Sequence, residues 1–392
     1  MNPIYHEYEE ETQYFELLER KTSRGILKQA HIADLHFTVK NIPAKTHYEI
    51  LREQFIDKIR DLPLDLVSVD GDIFDRKFMS NTDAILYASM FIGDLVQLCK
   101  DNKITLLLIK GTDGHEADQL RLFYHYLKDP DIDIRIVETI QFQYVKGARI
   151  LCIPELYGVP EETYRQYLFE SGWYDMCFMH GTIQGAVYGD RVGQGRLFTM
   201  EDFQYCLGPI ISGHVHTGGC FHTDFYYTGS ALRYKHGEEG TKGFLLVLYD
   251  MDKRNYYVHL QEIVSFRYKT IDIDTILQND PKDIINYINE LKEKENIDFL
   301  RVDIRDDIDK SKLEVIRSYY RGNSNITFLI DIKKSIERQK ALENEKLIEK
   351  YDFILDNTST PYDKLAQFIN SELNCIYISG KDIIDLLKEE NL

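Results

Sequence analysis

Residues 25–36 read Gly25-Ile26-Leu27-Lys28-Gln29-Ala30-His31-Ile32-Ala33-Asp34-Leu35-His36, and this stretch governs the reading of the rest. The run 25–32 predicts a β-strand, and it empties directly into an Asp-x-His exit. The same pattern recurs downstream. Short apolar runs at 64–69, 104–109, 149–153, 175–179 and 209–212 predict further strands. The stretches 46–61 and 82–100 predict helices between some of them. Strands alternating with helices imply a layered α/β core. In such cores, sites gather at the carboxyl ends of strands, where the exit loops meet.

A more β-rich stretch follows, with strands predicted at 221–227, 244–249 and 256–260, which fits a second sheet packed on the first. The pattern changes after about residue 263. A strand at 264–273 leads to Asp280-Pro281, an N-cap followed by proline at the first helical position. Ile284, Ile285, Ile288 and Leu291 then share one helical face. A strand at 299–304, a helix at 310–320 and a strand at 326–332 complete a compact α+β unit. The predicted organisation is therefore an extension (1–24), an α/β domain (25–262), a small α+β domain (263–334) and a charged C-terminal segment (335–392). Within the extension, Tyr14, Leu17 and Leu18 could form one face of a short helix or belong to a surface arm.

The formal net charge is −18, which argues against simple DNA binding, because phosphate contacts normally need a basic surface. Bound divalent cations would invert the field at an acidic site, and a basic partner would supply a DNA-holding surface. The six cysteines are scattered without a CxxC pair and read as reduced cytosolic thiols. The acidic, aromatic start does not resemble a secretory signal, and no apolar run is long enough to span a membrane. The expected location is the cytoplasm, with no membrane partner.

Five short motifs carry the chemistry. They are Asp34-Leu35-His36; Asp70-Gly71-Asp72; Gly111-Thr112-Asp113-Gly114-His115-Glu116; Met179-His180-Gly181; and Gly213-His214-Val215-His216. A strand-like alternation would send His214 and His216 to the same side. Mixed carboxylate and imidazole donors suit Mn, Fe or Zn better than Mg or Ca. A shared aspartate can bridge two ions about 3.5 Å apart, which together bind a phosphodiester and activate water. Each motif alone is common; their order along one chain, mostly at strand ends, is the signal.

This order resembles the calcineurin-like metallophosphoesterase superfamily, whose motifs read DxH, GD, GNH[DE], H and GHxH. The resemblance implies a two-layered β-sandwich flanked by helices. It assigns Asp34, His36 and His216 to one metal, makes Asp72 the bridge, and gives His180 and His214 to the second metal. It gives His115 a catalytic role on the scissile phosphate or leaving oxygen, with Glu116 holding that histidine. The family asparagine of the third motif is absent here. Asp113, Thr112 or a water would take its place, Asp113 being the better ligand chemically.

Within the superfamily the likeness is to Mre11/SbcD-type nucleases, including phage-encoded ones. It rests on the opening His31-Ile32-Ala33-Asp34-Leu35-His36-Phe37, on Tyr227-Thr228-Gly229-Ser230-Ala231-Leu232-Arg233, and on Lys242-Gly243-Phe244. The α+β unit resembles their capping domain. The resemblance implies Mn2+-dependent exonuclease and endonuclease action on DNA, and it allows a homodimer. It also implies a Rad50/SbcC-like ATPase partner bound through the C-terminal segment. There Leu365, Phe368 and Ile369, and then Ile383, Ile384 and Leu387, form apolar faces on helices too short to stand alone. These faces either dock on such a partner or fold back on the chain. Two other readings are a stand-alone phosphoesterase on small substrates and a scaffold subunit with a weakened second metal site.

Overall fold

The run around Leu27 becomes an interior strand, β1 (Ile26–Ile32), because its two faces are both apolar enough to be buried. In chain order the strands of the larger unit continue as β2 (Leu66–Asp70), β3 (Thr105–Ile109), β4 (Ile134–Val137), β5 (Gln141–Val145), β6 (Ala148–Ile153) and β7 (Met176–His180). They are followed by β8 (Thr182–Ile183), β9 (Leu197–Phe198), β10 (Ile210–Gly213), β11 (Gly219–His222), β12 (Phe225–Tyr227), β13 (Gly243–Asp250) and β14 (Asn255–Glu262). The computed structural model describes residues 25–37, 42–76, 82–186, 195–238, 240–272, 280–304, 310–323 and 325–330, with Ala366, Ser379 and Lys381. The N-terminal extension and the two amphipathic pieces of the C-terminal segment lie outside the described residues, apart from those isolated positions.

Two six-stranded sheets form, ordered β14-β13-β1-β2-β3-β4 and β11-β12-β10-β7-β6-β5. In the first, β1, β2, β3 and β4 run parallel, with Ile32 opposite Val69 and Asp70 opposite Ile109. In the second, β6, β7, β10 and β12 run parallel. Alternation along each strand splits the apolar residues between two cores. Leu27, Leu66, Leu107 and Ile109 meet Ile150, Cys152, Phe178 and Ile211 of the second sheet. Their neighbours Ile32, Val67, Val69 and Leu108 face the other way, onto Phe55, Phe91 and Leu95 of the helices. Leu151, Cys177 and Met179 likewise face Tyr164, Leu168 and Phe203 on the far side of the second sheet. The unit is a helix–sheet–sheet–helix stack, an α/β fold as the sequence implied. The first helical layer holds α1 (Ala44–Leu51), extended through a π turn at Arg52–Ile56, and α2 (Thr82–Asn102).

Three details depart from the sequence reading. The run 221–227 is two antiparallel strands, β11 and β12, because Thr223-Asp224 form a tight reversal. The strands β4 and β5 lie at sheet edges, where short half-polar sequences give little periodic signal. Lys146 and Gly147, both at positive φ, close the β5–β6 hairpin.

The described residues divide into two compact units, split between Lys269 and Thr270, with Asn296–Phe299 returning to the first. The remaining elements are α3 (Glu161–Arg165) in the larger unit, β15 (Tyr268–Asp272), which the split crosses, β16 (Phe299–Ile304), of which all but Phe299 is in the smaller unit, and α4 (Pro281–Lys294), α5 (Lys310–Tyr319) and β17 (Ile326–Ile330) in the smaller unit. These three strands form a sheet ordered β15-β16-β17, with β16 and β17 parallel. Asp280 caps α4 by accepting from Lys282 N at 3.0 Å, and Ile284, Ile285 and Ile288 are buried. No helix among the described residues is long and apolar enough to cross a membrane.

Candidate metal centre

Five parallel strands deliver the five motifs to one place. β1, β2 and β3 exit into Asp34/His36, Asp72 and the Gly111–Glu116 loop; β7 and β10 exit into His180 and His214/His216. The first two exit loops are laced together by backbone hydrogen bonds. Asp34 N donates to Gly71 O and His36 N to Asp72 O, both at 3.0 Å. The backbone turns sharply to do this. Asp34, His36, Asp72 and His214 sit at φ of 49°, 46°, 53° and 85°. Left-handed backbone costs an L-residue roughly 1–2 kcal/mol. Four such residues converging on one site is the kind of stored strain that marks function. Gly71 and Gly111 make the approach possible. A Cβ at Gly71 would run into the His180 imidazole, and one at Gly111 into Asp72.

The side chains form two groups that share Asp72. In the first, Asp34, His36 and His216 offer donor atoms close enough to hold one ion. His36 Nε2 and His216 Nε2 are 2.9 Å apart. His216 Nδ1 donates to Glu238 at 2.6 Å, so its Nε2 lone pair is the one that faces His36. Burial above all holds His36 well below the ordinary imidazole range, so it is neutral. Its Nδ1 is buried without a hydrogen-bond partner and lies 3.7 Å from an Asp75 carboxylate oxygen. A cation taking both Nε2 lone pairs would leave the His36 proton on Nδ1, facing Asp75. The donor set therefore fits a metal better than it fits a self-contained hydrogen-bond network.

In the second group, Glu155, His180 and His214 come together, all buried. His180 Nδ1 donates to Asp70 O at 2.8 Å, leaving Nε2 to face Asp72 Oδ2 at 3.4 Å and Glu155 Oε2 at 3.8 Å. Burial alone would depress His180, but the Asp72, Asp34 and Glu155 charges outweigh it and hold it well above its usual range. Those carboxylates are asking for a positive charge. Asp72 lies between the groups and accepts from Thr112 N at 2.7 Å and Thr112 Oγ1 at 3.2 Å. Beneath the site, the inward-facing Gln29, His31 and Asp70 form a buried chain, with His31 Nδ1 to Asp70 Oδ2 at 2.9 Å. This chain fixes the strand whose carbonyl orients His180.

His214 and His216 do not share a side. β10 ends at Gly213, and the positive φ of His214 breaks the alternation. His214 turns to Glu155, with Nδ1 3.0 Å from Oε2, while His216 turns to His36. Asp113 stands outside all four metal-competent groups; its carboxylate is half exposed and paired with Lys110. Thr112 takes the inward position instead. His115 lies beside His36 and Asp72, its Nε2 4.0 Å from Asp72 Oδ2 and its side chain 31% exposed. Its Nδ1 donates to the Asp75 carbonyl, so Glu116 is not what holds it. Glu116 is fully buried and accepts from Ile73 N and Gly111 N, each at 2.6 Å, pinning two motif loops together.

Burial, then the Asp72 charge, push Glu116 up to about 7 from its ordinary 4.5. A carboxyl raised in this way contributes stability below about 4.5 that is lost as pH rises through about 7. Glu116→Gln should remove that pH dependence from the metal-free protein. It should also cost roughly 1–3 kcal/mol, because the amide NH2 confronts a buried backbone N–H. Urea unfolding across this pH window checks both; an unchanged midpoint and slope would contradict the pinning role.

Two residues of the site escaped the sequence reading. Glu155 follows β6, another parallel strand whose exit meets the others, so its position at a strand end was the available signal. Glu238, at His216 Nδ1, had none: it is reached through an irregular segment.

No family model matches the chain. Two viral proteins are similar to it. "Putative phosphoesterase 244L" of Invertebrate iridescent virus 6 is 23% identical over 253 residues, 62% of this chain and 84% of that protein. "Putative phosphoesterase 078R" of Invertebrate iridescent virus 3 is 24% identical over 272 residues, 65% of this chain and 72% of that protein. The solution NMR structure of a Thermotoga maritima protein aligns with 60% of this chain and 99% of its own, at 12% identity and a TM-score of 0.25, too low to carry an argument. The sequence likeness is thus to phosphoesterase-named proteins, and it goes no finer.

Proposed function

We propose that the chain is a two-ion phosphodiesterase of the calcineurin-like class, acting on DNA as the nuclease subunit of an Mre11/SbcD-type complex. The observation that carries the reading is the placement of Asp72 between two carboxylate–imidazole groups built from strand exits. Asp34, His36, His216 and Asp72 would hold one divalent ion; Asp72, His180 and His214 would hold the other. Imidazole-rich donors favour Mn2+ over Mg2+. Bound there, two ions supply Lewis-acid stabilisation of phosphoryl oxygens and lower the pKa of water.

The protein's own groups do the rest. Asp72 and Thr112 fix the floor of the site, and Glu238 and the Asp70 carbonyl orient His216 and His180. His115 is the most exposed imidazole of the cluster, and its anchored Nδ1 aims Nε2 at the space beside Asp72. From there it stabilises charge on the phosphate or protonates the leaving oxygen.

The test is hydrolysis of double-stranded DNA and of a small aryl phosphodiester, after chelation and then with Mn2+ restored. Recovery of DNA cleavage with Mn2+ supports the nuclease reading; no metal-dependent hydrolysis of either substrate contradicts it. The net charge of −18 favours a second reading, a phosphoesterase of small substrates, which predicts aryl ester turnover without DNA cleavage. Under the nuclease reading, a Rad50/SbcC-like ATPase bound through residues 335–392 supplies the missing basic surface. A chain truncated near Lys334 should lose that partner in co-purification and keep cleavage of short substrates.

Burial pushes the Glu238 carboxylate up, but its hydrogen bond to His216, the neighbouring positive charges of His216 and Lys242 and the Tyr234 N–H together outweigh it and hold the group at about 2. It stays charged and makes His216 a better donor. Glu238→Gln should therefore weaken Mn2+ binding by about tenfold or more, as loss of such supporting carboxylates does. Isothermal titration with Mn2+ reads the change; unaltered affinity would place Glu238 outside the metal's reach.

A further inference from the structure

We infer that Glu155 is a metal ligand, the carboxylate that gives the second ion its own anionic donor in place of the neutral amide the motif pattern lacks. The inference rests on the two-ion reading and refines it.

The third motif loop contains no side chain that reaches the second group through a metal-ligating atom except the Thr112 hydroxyl. Asp113, the nearest carboxylate in that loop, is half exposed and paired with Lys110. Glu155 comes from a different strand exit and is buried, at 5% exposure. Its Oε2 is 3.0 Å from His214 Nδ1, 3.8 Å from His180 Nε2 and 2.8 Å from Thr112 Oγ1. Its Oε1 accepts from Tyr157 OH at 2.7 Å, which fixes the carboxylate's rotation. One oxygen is thus anchored and the other turned into the group.

A surface-independent signal accompanies this geometry. The buried His180 has its Nδ1 committed to the Asp70 carbonyl, so its Nε2 is turned toward two carboxylate oxygens, of Asp72 and Glu155. Carboxylates converging in a buried site leave negative charge that is costly there, and a divalent cation among them offsets it. With Glu155 included, the centre is symmetric in its donors. Each ion has one private carboxylate (Asp34 or Glu155), two imidazoles (His36 and His216, or His180 and His214) and the shared Asp72. Relative to an amide ligand, the second ion gains a full negative charge, and hard divalent ions are held more tightly by carboxylate than by amide oxygen.

The experiment uses the full chain, stripped by chelator, reloaded with Mn2+ and desalted, with bound manganese measured by elemental analysis and thermal stabilisation by Mn2+ read alongside. The expected result is two ions per chain in the wild type and in Asp113→Asn, and one in Glu155→Ala, whose Mn2+-induced stabilisation falls correspondingly. Glu155→Asp keeps the charge on a shorter arm and guards against a folding defect in the alanine variant. It should retain the second ion with affinity reduced about tenfold, the scale of a 1.4 kcal/mol loss. Two firmly held ions in Glu155→Ala, or loss of one ion from Asp113→Asn, would overturn the assignment of Glu155 while leaving the two-ion reading standing. A wild-type chain that takes up no manganese would instead overturn the two-ion reading itself, and this inference with it.

Discussion

Asp72→Ala should abolish metal-dependent phosphodiester hydrolysis and lower bound manganese below one firmly held ion per chain. Asp72 is 3% exposed and its carboxylate lies within reach of both donor groups. Burial raises its pKa, but the His180 charge and hydrogen bond outweigh this and hold it below the ordinary carboxylate range, so it is charged at any working pH. On the proposed two-ion reading, removing it would take a donor from each ion at once, and it leaves His180 and His115 without the anion they face. Metal ions supply several kcal/mol of transition-state stabilisation, so the rate should fall by roughly 10³-fold or more. Kinetics on the aryl phosphodiester and elemental analysis of the same sample measure both effects. Retention of two ions with a rate within tenfold of wild type would show that Asp72 is no bridge.

His115→Asn should separate chemistry from metal binding. His115 shares a metal-competent group with His36 and Asp72, so geometry alone would admit it as a ligand. Its imidazole is nonetheless the most exposed of the donors, at 31% against 16% for His216, and is anchored through Nδ1 to a backbone carbonyl. That placement suits a group that meets substrate. The variant should keep both ions and lose roughly 10²–10⁴-fold in rate, the usual worth of a positioned acid or charge stabiliser. Substrates with a good leaving group should be affected least if the lost function is protonation of the leaving oxygen. If bound manganese drops to half instead, His115 is a ligand.

Much of this architecture was written locally. The strands β1, β2, β3, β6, β7 and β10 are apolar runs closed by polar exits, and each run's alternation decides which residues meet the facing sheet. Asp34, His36, Asp72, His180, His214 and His216 are brought together because parallel strands must all release their chains at one end. What the sequence hid depends on turns and on long-range meeting. The divergence of His214 and His216 comes from one left-handed residue at the end of β10, which no periodicity reports. Glu116 has the spacing of a histidine partner, yet backbone N–H groups of two loops claim it first. Glu155 stands alone after Pro154 with no ligand at a regular spacing, and becomes part of a site only when β6 lies beside β7. Asp113 has the right chemistry in the right loop, but Lys110 draws it outward and Thr112 points inward.

Anomalous diffraction from crystals of the full chain grown with Mn2+ would locate the pair of ions proposed around Asp72. Two manganese peaks are expected, one among Asp34, His36 and His216 and one among Glu155, His180 and His214, with Asp72 reaching both. A single peak away from Asp72, or none at either group under saturating Mn2+, would contradict the two-ion reading.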